Sequence, residues 1–167
     1  MHERRAEIVA AALELLEQEG AEALSMRRIA ERVGIRAPSI YKHFPNKEAL
    51  EAAMISVGFE RTAEALGRAD DGLEAIAAAY RSFALENPHL YRLMTERALK
   101  RELLAPGAEA RAAAPVLAAA GGDSDLARAA WAFAHGMTIL ELDERFPPDA
   151  DLEAAWARGL AAFTRKR

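Results

Sequence analysis

The chain has 167 residues, room for one domain or a domain with a small companion, and its 51% apolar and 29% charged residues are the balance of an ordinary globular protein. With no cysteine it can hold neither a disulfide framework, nor a thiolate zinc site, nor a cysteine nucleophile, and it suits a reducing cytoplasm. The net charge of −4 taken alone argues against a nucleic-acid partner, and Glu7 and Glu14 interrupt the first apolar stretch, so neither a signal peptide nor a membrane span is expected.

Apolar residues recur near a helical period of about 3.6 along the chain and no stretch alternates like a strand, which predicts an all-α fold of about nine helices. The first is expected over residues 3–19, with Ile8, Val9, Ala12, Leu13 and Leu16 on one stripe and Gly20 as its stop. Ser25 caps a short second helix whose Ile29, Ala30 and Val33 face inward, and Gly34 ends it by permitting a left-handed turn. Pro38 suits the start of a third helix over 38–44. Pro45 breaks that helix, and Asn46 caps a long fourth one reaching about residue 68.

Beyond the linker Ala69-Asp70-Asp71-Gly72, helices are expected over 73–86 and 89–101, separated by Asn87-Pro88. Pro106-Gly107 opens an alanine-rich segment to 120, where Pro115 argues against an unbroken helix. Gly121-Gly122 is a break, and Asp123 or Ser124 caps a helix over 124–145. Pro147-Pro148 separates it from a last helix over 151–165.

Charge is not spread evenly. From Ser25 to Lys47 the basic residues are Arg27, Arg28, Arg32, Arg36, Lys42 and Lys47 against Glu31 alone, a local +5 that leaves −9 on the rest. A basic patch on an acidic body fits a protein that touches nucleic acid at one end. The same segment has the parts of a helix-turn-helix: two short helices, a small residue at the turn and a polar outer face on the second helix. Ile29, Ala30, Val33, Ile35, Ile40 and Phe44 can form its inner side, leaving Arg36, Ala37, Ser39, Tyr41, Lys42 and His43 nearer the outside.

The first 50 residues resemble the N-terminal domain of the TetR family. The resemblance rests on Arg5-Ala6-Glu7-Ile8-Val9-Ala10-Ala11-Ala12, on Gly20, on Ser25-Met26-Arg27-Arg28-Ile29-Ala30, and above all on Ser39-Ile40-Tyr41-Lys42-His43-Phe44-Pro45-Asn46-Lys47-Glu48-Ala49-Leu50. It implies a three-helix DNA-binding domain over 1–46 and a helical ligand-binding and dimerisation domain over 47–167. It also implies roles: Arg27, near the second helix's start, toward base edges or phosphate, with Arg28 also among the DNA-binding residues; Ser39, Tyr41 and His43 toward phosphates, Ser39 also near bases; Ala37 and Lys42 at the variable reading positions; and Lys47 as a phosphate clamp. Where the family often carries a capping Ser or Thr stands Arg36, which cannot accept the N-cap hydrogen bond.

Farther on, Trp131-Ala132-Phe133-Ala134-His135-Gly136 resembles the Trp-x-x-x-His-Gly signature of a C-terminal subclass, the WHG type. The resemblance implies a homodimer through the last two helices and a pocket for a small apolar or aromatic effector. Candidate lining residues are Phe59, Tyr80, Phe83, Tyr91, Met94, Trp131, His135 and Met137, although an aromatic and methionine stripe at helical spacing is commonly core. Trp131, His135, Thr138 and Leu142 form one expected interface stripe, and Leu152, Trp156, Leu160 and Phe163 another. The expected function is a cytoplasmic repressor that binds a palindromic DNA operator and is released by an inducer, without cofactor or metal. The alternatives are a helical ligand-binding module without an inducer response, or an enzyme; against the latter, no Gly-rich phosphate loop, His-Glu-x-x-His or Gly-x-Ser-x-Gly occurs.

Overall fold

Helix α1 (His2–Glu19) forms because Ile8, Ala12, Leu15 and Leu16 recur on one side of it and are buried. The computed structural model describes residues 2–164, and among them the fold is nine α-helices with two short 3-10 turns and no strand. The all-α expectation therefore holds. α2 (Met26–Arg32) begins at Ser25, whose Oγ accepts the Arg28 N–H at 3.2 Å. It ends where Gly34 takes φ 71°, letting the Ile35 N–H reach the Ala30 carbonyl at 2.9 Å.

α3 (Ala37–Ile40) is shorter than the expected 38–44. Residues beyond it continue as a hydrogen-bonded turn, with the Lys42 N–H on the Ser39 carbonyl at 3.2 Å and the His43 N–H on Ile40 at 2.9 Å. Two local causes shorten the helix: Arg36 supplies no side-chain cap, and Pro45 disfavours helical backbone at Phe44. α4 (Lys47–Gly67) is then started by Asn46, whose Oδ1 accepts the Ala49 N–H at 2.8 Å.

α5 (Leu73–Glu86) follows its expected span, but α6 (Pro88–Thr95) stops well before 101 and gives way to a 3-10 turn at Arg101–Leu103. At its end the Thr95 hydroxyl donates to the Tyr91 carbonyl at 2.8 Å, a local bond of the kind that competes with helix continuation. α7 (Ala108–Ala119) runs unbroken through Pro115, contrary to expectation. The proline leaves the Arg111 carbonyl without its helical donor, a cost of about 3 kcal/mol, which flanking alanines of high helix propensity partly offset.

α8 (Ser124–Leu142) is capped by Asp123, whose carboxylate accepts the N–H groups of Asp125 and Leu126 at 2.9 and 3.0 Å. It ends at Leu142 instead of 145, because Glu144 turns to φ 50° and the Arg145 N–H bonds back to Leu140 at 2.8 Å. That is the closure seen at Gly34, with a glutamate in the glycine position. Glu144→Gly is accordingly expected to stabilise the protein by about 0.5 to 1 kcal/mol and to raise its melting temperature by about 2–4 °C, readable by circular dichroism. α9 (Leu152–Thr164) completes the fold; the expected helix end at Arg165 lies outside the described residues.

The helices form two compact units, with α4 passing from one into the other after Phe59. The first unit takes the chain up to Phe59 together with Asn87–Ala108. Its buried residues include Ile29, Ile40, Phe44, Leu50, Met54 and Tyr91. In it the Glu17 carboxylate of α1 accepts the Leu90 N–H at the start of α6, at 2.9 Å.

The second unit takes Glu60–Glu86 and the chain from Glu109 onward. Leu73, Ala120 and Ala130 form one cluster there, with Leu126 and Phe163 packed against it. Phe133 meets Trp156 edge-on at 5.5 Å and lies 5.8 Å from Phe163. Trp156 and Leu160, expected to face a partner, are therefore buried within the subunit, as is Thr138. Arg81 of α5 joins three helices: it makes a two-pronged pair with Glu141 at 2.8 Å and reaches Glu153 at 2.6 Å. Glu141, expected on a solvated helix end, is instead half-buried because Arg81 holds it. No helix among the described residues is long and apolar enough to cross a membrane.

Candidate nucleic-acid interface

Ile40 and Phe44 are fully buried, and this anchors the α3 segment with its other side turned outward. On that side Tyr41 is 52% exposed, and Arg36 and Lys42 are exposed as well. Ala37, Ser39 and His43 are partly exposed. Lys47 is the first residue of α4, in the first turn whose N–H groups point out of the helix end, the one of Ala49 taken by Asn46. Arg36, Ala37, Ser39, Tyr41, Lys42 and Lys47 thus lie on one short stretch with a buried anchor at its middle.

The basic residues do not all face outward unpaired. Arg28 makes a two-pronged pair with Glu19 at 2.7 and 2.8 Å, and Arg32 bonds Gln18 at 2.6 Å with Glu14 at 3.7 Å. Both tie α2 to α1. Arg27 is 82% exposed and bonded to Glu31 at 2.9 Å, an interaction that raises its pKa further. Lys47 is loosely paired with Glu51 at 3.4 Å. Arg36 and Lys42 are the cations of the segment with no acidic partner among the described residues. The local +5 therefore overstates the outward charge, because α1 supplies acids the segment count omits.

One residue that carried no individual role in the sequence reading is part of this face. The Arg5 guanidinium of α1 donates to the His43 carbonyl and lies 4.2 Å over the Phe44 ring. It clamps the end of the α3 turn to α1 by a hydrogen bond and a cation–π contact. His43 keeps its Nδ1 buried without a partner, so that side of the ring faces inward.

The eight candidate effector residues are divided between the two units. Phe59, Tyr91 and Met94 belong to the first unit, where Tyr91 is buried; Tyr80, Phe83, Trp131, His135 and Met137 belong to the second. Three of the latter do meet: Trp131, 49% exposed, donates its Nε1–H to the Tyr80 hydroxyl at 3.2 Å and stacks on His135 at 6.1 Å. Partial burial lowers the pKa of His135 below its ordinary 6.5. The unfolded chain then binds more protons than the folded one below pH 6.5, so this histidine costs stability as pH falls through that window and costs none above it. Urea midpoints measured from pH 7 to 5 should fall less steeply in His135→Gln than in the parent protein.

Comparison with known proteins agrees with the helix-turn-helix geometry. Residues 8–54 match the profile of the bacterial regulatory proteins of the tetR family, and residues 73–163 match that of the tetracyclin repressor-like C-terminal domain. A tetracycline repressor protein, class A, of Escherichia coli is 36% identical over 86 residues, 51% of this chain and 37% of that repressor. The chain thus spans well under half of that relative's length. An uncharacterised HTH-type transcriptional regulator of Mycobacterium tuberculosis is 33% identical over 153 residues, 83% of this chain and 70% of that protein. A solved structure of a protein of unknown function from Rhodococcus sp. RHA1 superposes with a TM-score of 0.72 at 29% identity, covering 95% of this chain and 92% of its own. The C-terminal profile alone takes in more than half of the residues, and with the buried-anchor turn of α3 the conclusion is direct: this chain belongs to the tetR family of bacterial regulatory proteins.

Proposed function

We propose that the protein is a cytoplasmic repressor that binds a palindromic operator as a homodimer, reading it with Ala37, Lys42 and Arg27 and gripping phosphates with Arg36, Ser39, Tyr41, His43 and Lys47. The observation that carries this reading is the outward side of α3, where Tyr41, Arg36 and Lys42 stand exposed over buried Ile40 and Phe44. Arg28 belongs to the second rank, since releasing it to DNA means breaking its pair with Glu19. The name of the tetracycline repressor supports repression as the sense of regulation. In domain terms, 1–46 reads DNA and 47–167 senses and dimerises.

A short reading segment gives little specificity alone, and two copies about 34–36 Å apart, or a multiple of that, read a two-fold site. The side of α8 and α9 left uncovered is rich in small residues, with Ala129 and Ala132 on α8 and Ala154 and Ala157 on α9 exposed. A Cβ built on Gly136 meets nothing within 4 Å. Two such faces can pack closely as a four-helix bundle, and a protein that sediments as a monomer at micromolar concentration would exclude it. The Trp131-x-x-x-His135-Gly136 stretch supports the WHG-type subclass, and the Trp131–Tyr80–His135 cluster is where a small aromatic inducer would act.

The test is binding to a duplex selected from random sequence. Tyr41→Ala with Lys47→Ala is expected to weaken binding about 30-fold and to flatten the salt dependence by about one to two ions. Tyr41 is exposed and Lys47 holds Glu51 only loosely, at 3.4 Å with Arg97 left beside it, so the melting temperature should fall by no more than about 2 °C. Unchanged affinity would remove the DNA-reading assignment.

A further inference from the structure

Within the first unit, the N-terminal turns of α4, the end of α6 and the segment after it surround a half-open cleft of about 280 Å³. Its walls are apolar, chiefly Ile55, Leu93, Met94 and Leu103. The outer wall is pinned at two points. The Ala105 N–H donates to the buried Ser56 hydroxyl at 2.9 Å, and the Lys100 ammonium pairs with Glu48.

Glu51 stands out on this lining. Its side chain is 17% exposed, yet its charge is met by Lys47 at 3.4 Å and Arg97 at 4.0 Å, with no closer donor among the described residues. A carboxylate so far out of water ordinarily accepts two or more short hydrogen bonds. Arg97, by contrast, is 76% exposed and keeps its water. An anion entering the cleft would meet an under-compensated carboxylate, whereas a cation would complete it.

We propose that this cleft binds a small organic cation, an apolar body of roughly six to twelve heavy atoms bearing an ammonium or amidinium that Glu51 accepts. The site also has a direction of coupling, which rests on the reading of Lys47 as a phosphate clamp. A phosphate draws Lys47 away from Glu51, and a cation in the cleft replaces the charge that Glu51 loses. Cation and DNA therefore favour each other's binding, the opposite sense to release by an inducer.

Methionine-methyl NMR of the full chain tests the site, with Met94 identified through Met94→Leu and benzamidine, benzoate and benzyl alcohol as probes. Benzamidine is expected to shift the Met94 methyl saturably, and Glu51→Gln, checked for folding by circular dichroism, is expected to weaken that binding at least about tenfold. No saturable shift overturns the site. Benzoate or benzyl alcohol binding as well as benzamidine, or undiminished binding in folded Glu51→Gln, overturns the cation assignment. For the coupling, saturating benzamidine should tighten binding to the selected duplex about fivefold or more, and unchanged or weaker binding overturns it. If no duplex is selected, the DNA reading fails, while the Met94 titration still decides the cleft.

Discussion

Arg81→Ala is expected to lower unfolding free energy by about 3 kcal/mol, read as a drop in the urea midpoint with an unchanged slope. The side chain is 19% exposed and so is poorly served by water, but Glu141, at 17%, is no better off. Each is tolerable because it faces the other, and the two carboxylates hold the guanidinium even more firmly charged than usual. Removing the arginine strands Glu141. Glu153 matters less, being 81% exposed and able to return to solvent. Arg81 also lies 5.5 Å over the Trp156 ring, so the alanine leaves a gap on an aromatic face. The same physics sets a control: Arg81→Met combined with Glu141→Leu should fall within about 1 kcal/mol of the parent, because no charge is then left without a partner. A single mutant as stable as the double would show that solvent reaches Glu141 freely.

Phe44→Ala is expected to cost about 4 kcal/mol and to abolish selective DNA binding, although Phe44 touches no DNA in the proposed arrangement. The ring is fully buried at the point where the α3 turn meets α1, and Arg5 covers it. Deleting it removes an anchor and the platform of a cation that holds the His43 carbonyl. Phe44→Leu should recover most of the stability and part of the binding. If Phe44→Ala melted like the parent protein, the α3 turn would owe its position to something other than this core.

Local chemistry accounts for what was legible beforehand. Ser25 and Asn46 cap their helices and Gly34 turns left-handed because each acts on backbone groups within three residues of itself. Such signals need no knowledge of the tertiary fold. The pairs Arg28–Glu19, Arg32–Glu14 and Arg81–Glu141 join different helices, and spacing along the chain carries no trace of them. That is why the charge of the reading segment looked larger than its outward share, and why Glu141 looked solvated. The effector candidates divide between the two units for a related reason: a helical stripe says that a residue faces inward, not which interior it faces. At Pro115 the local signal was real but outweighed by its neighbours.

The bond from the Leu90 amide to the Glu17 carboxylate makes that amide a gauge of the reading head. Leu90 sits in the first turn of α6, where no helical carbonyl is available, so its proton is protected as long as α1 stays docked. Its hydrogen-exchange rate therefore reports the opening of the α1–α6 contact, whether Glu17 swings off the amide or α1 lifts away. Any effector or DNA sequence that loosens or tightens the head would register at this single proton, which lies outside the residues proposed to touch DNA.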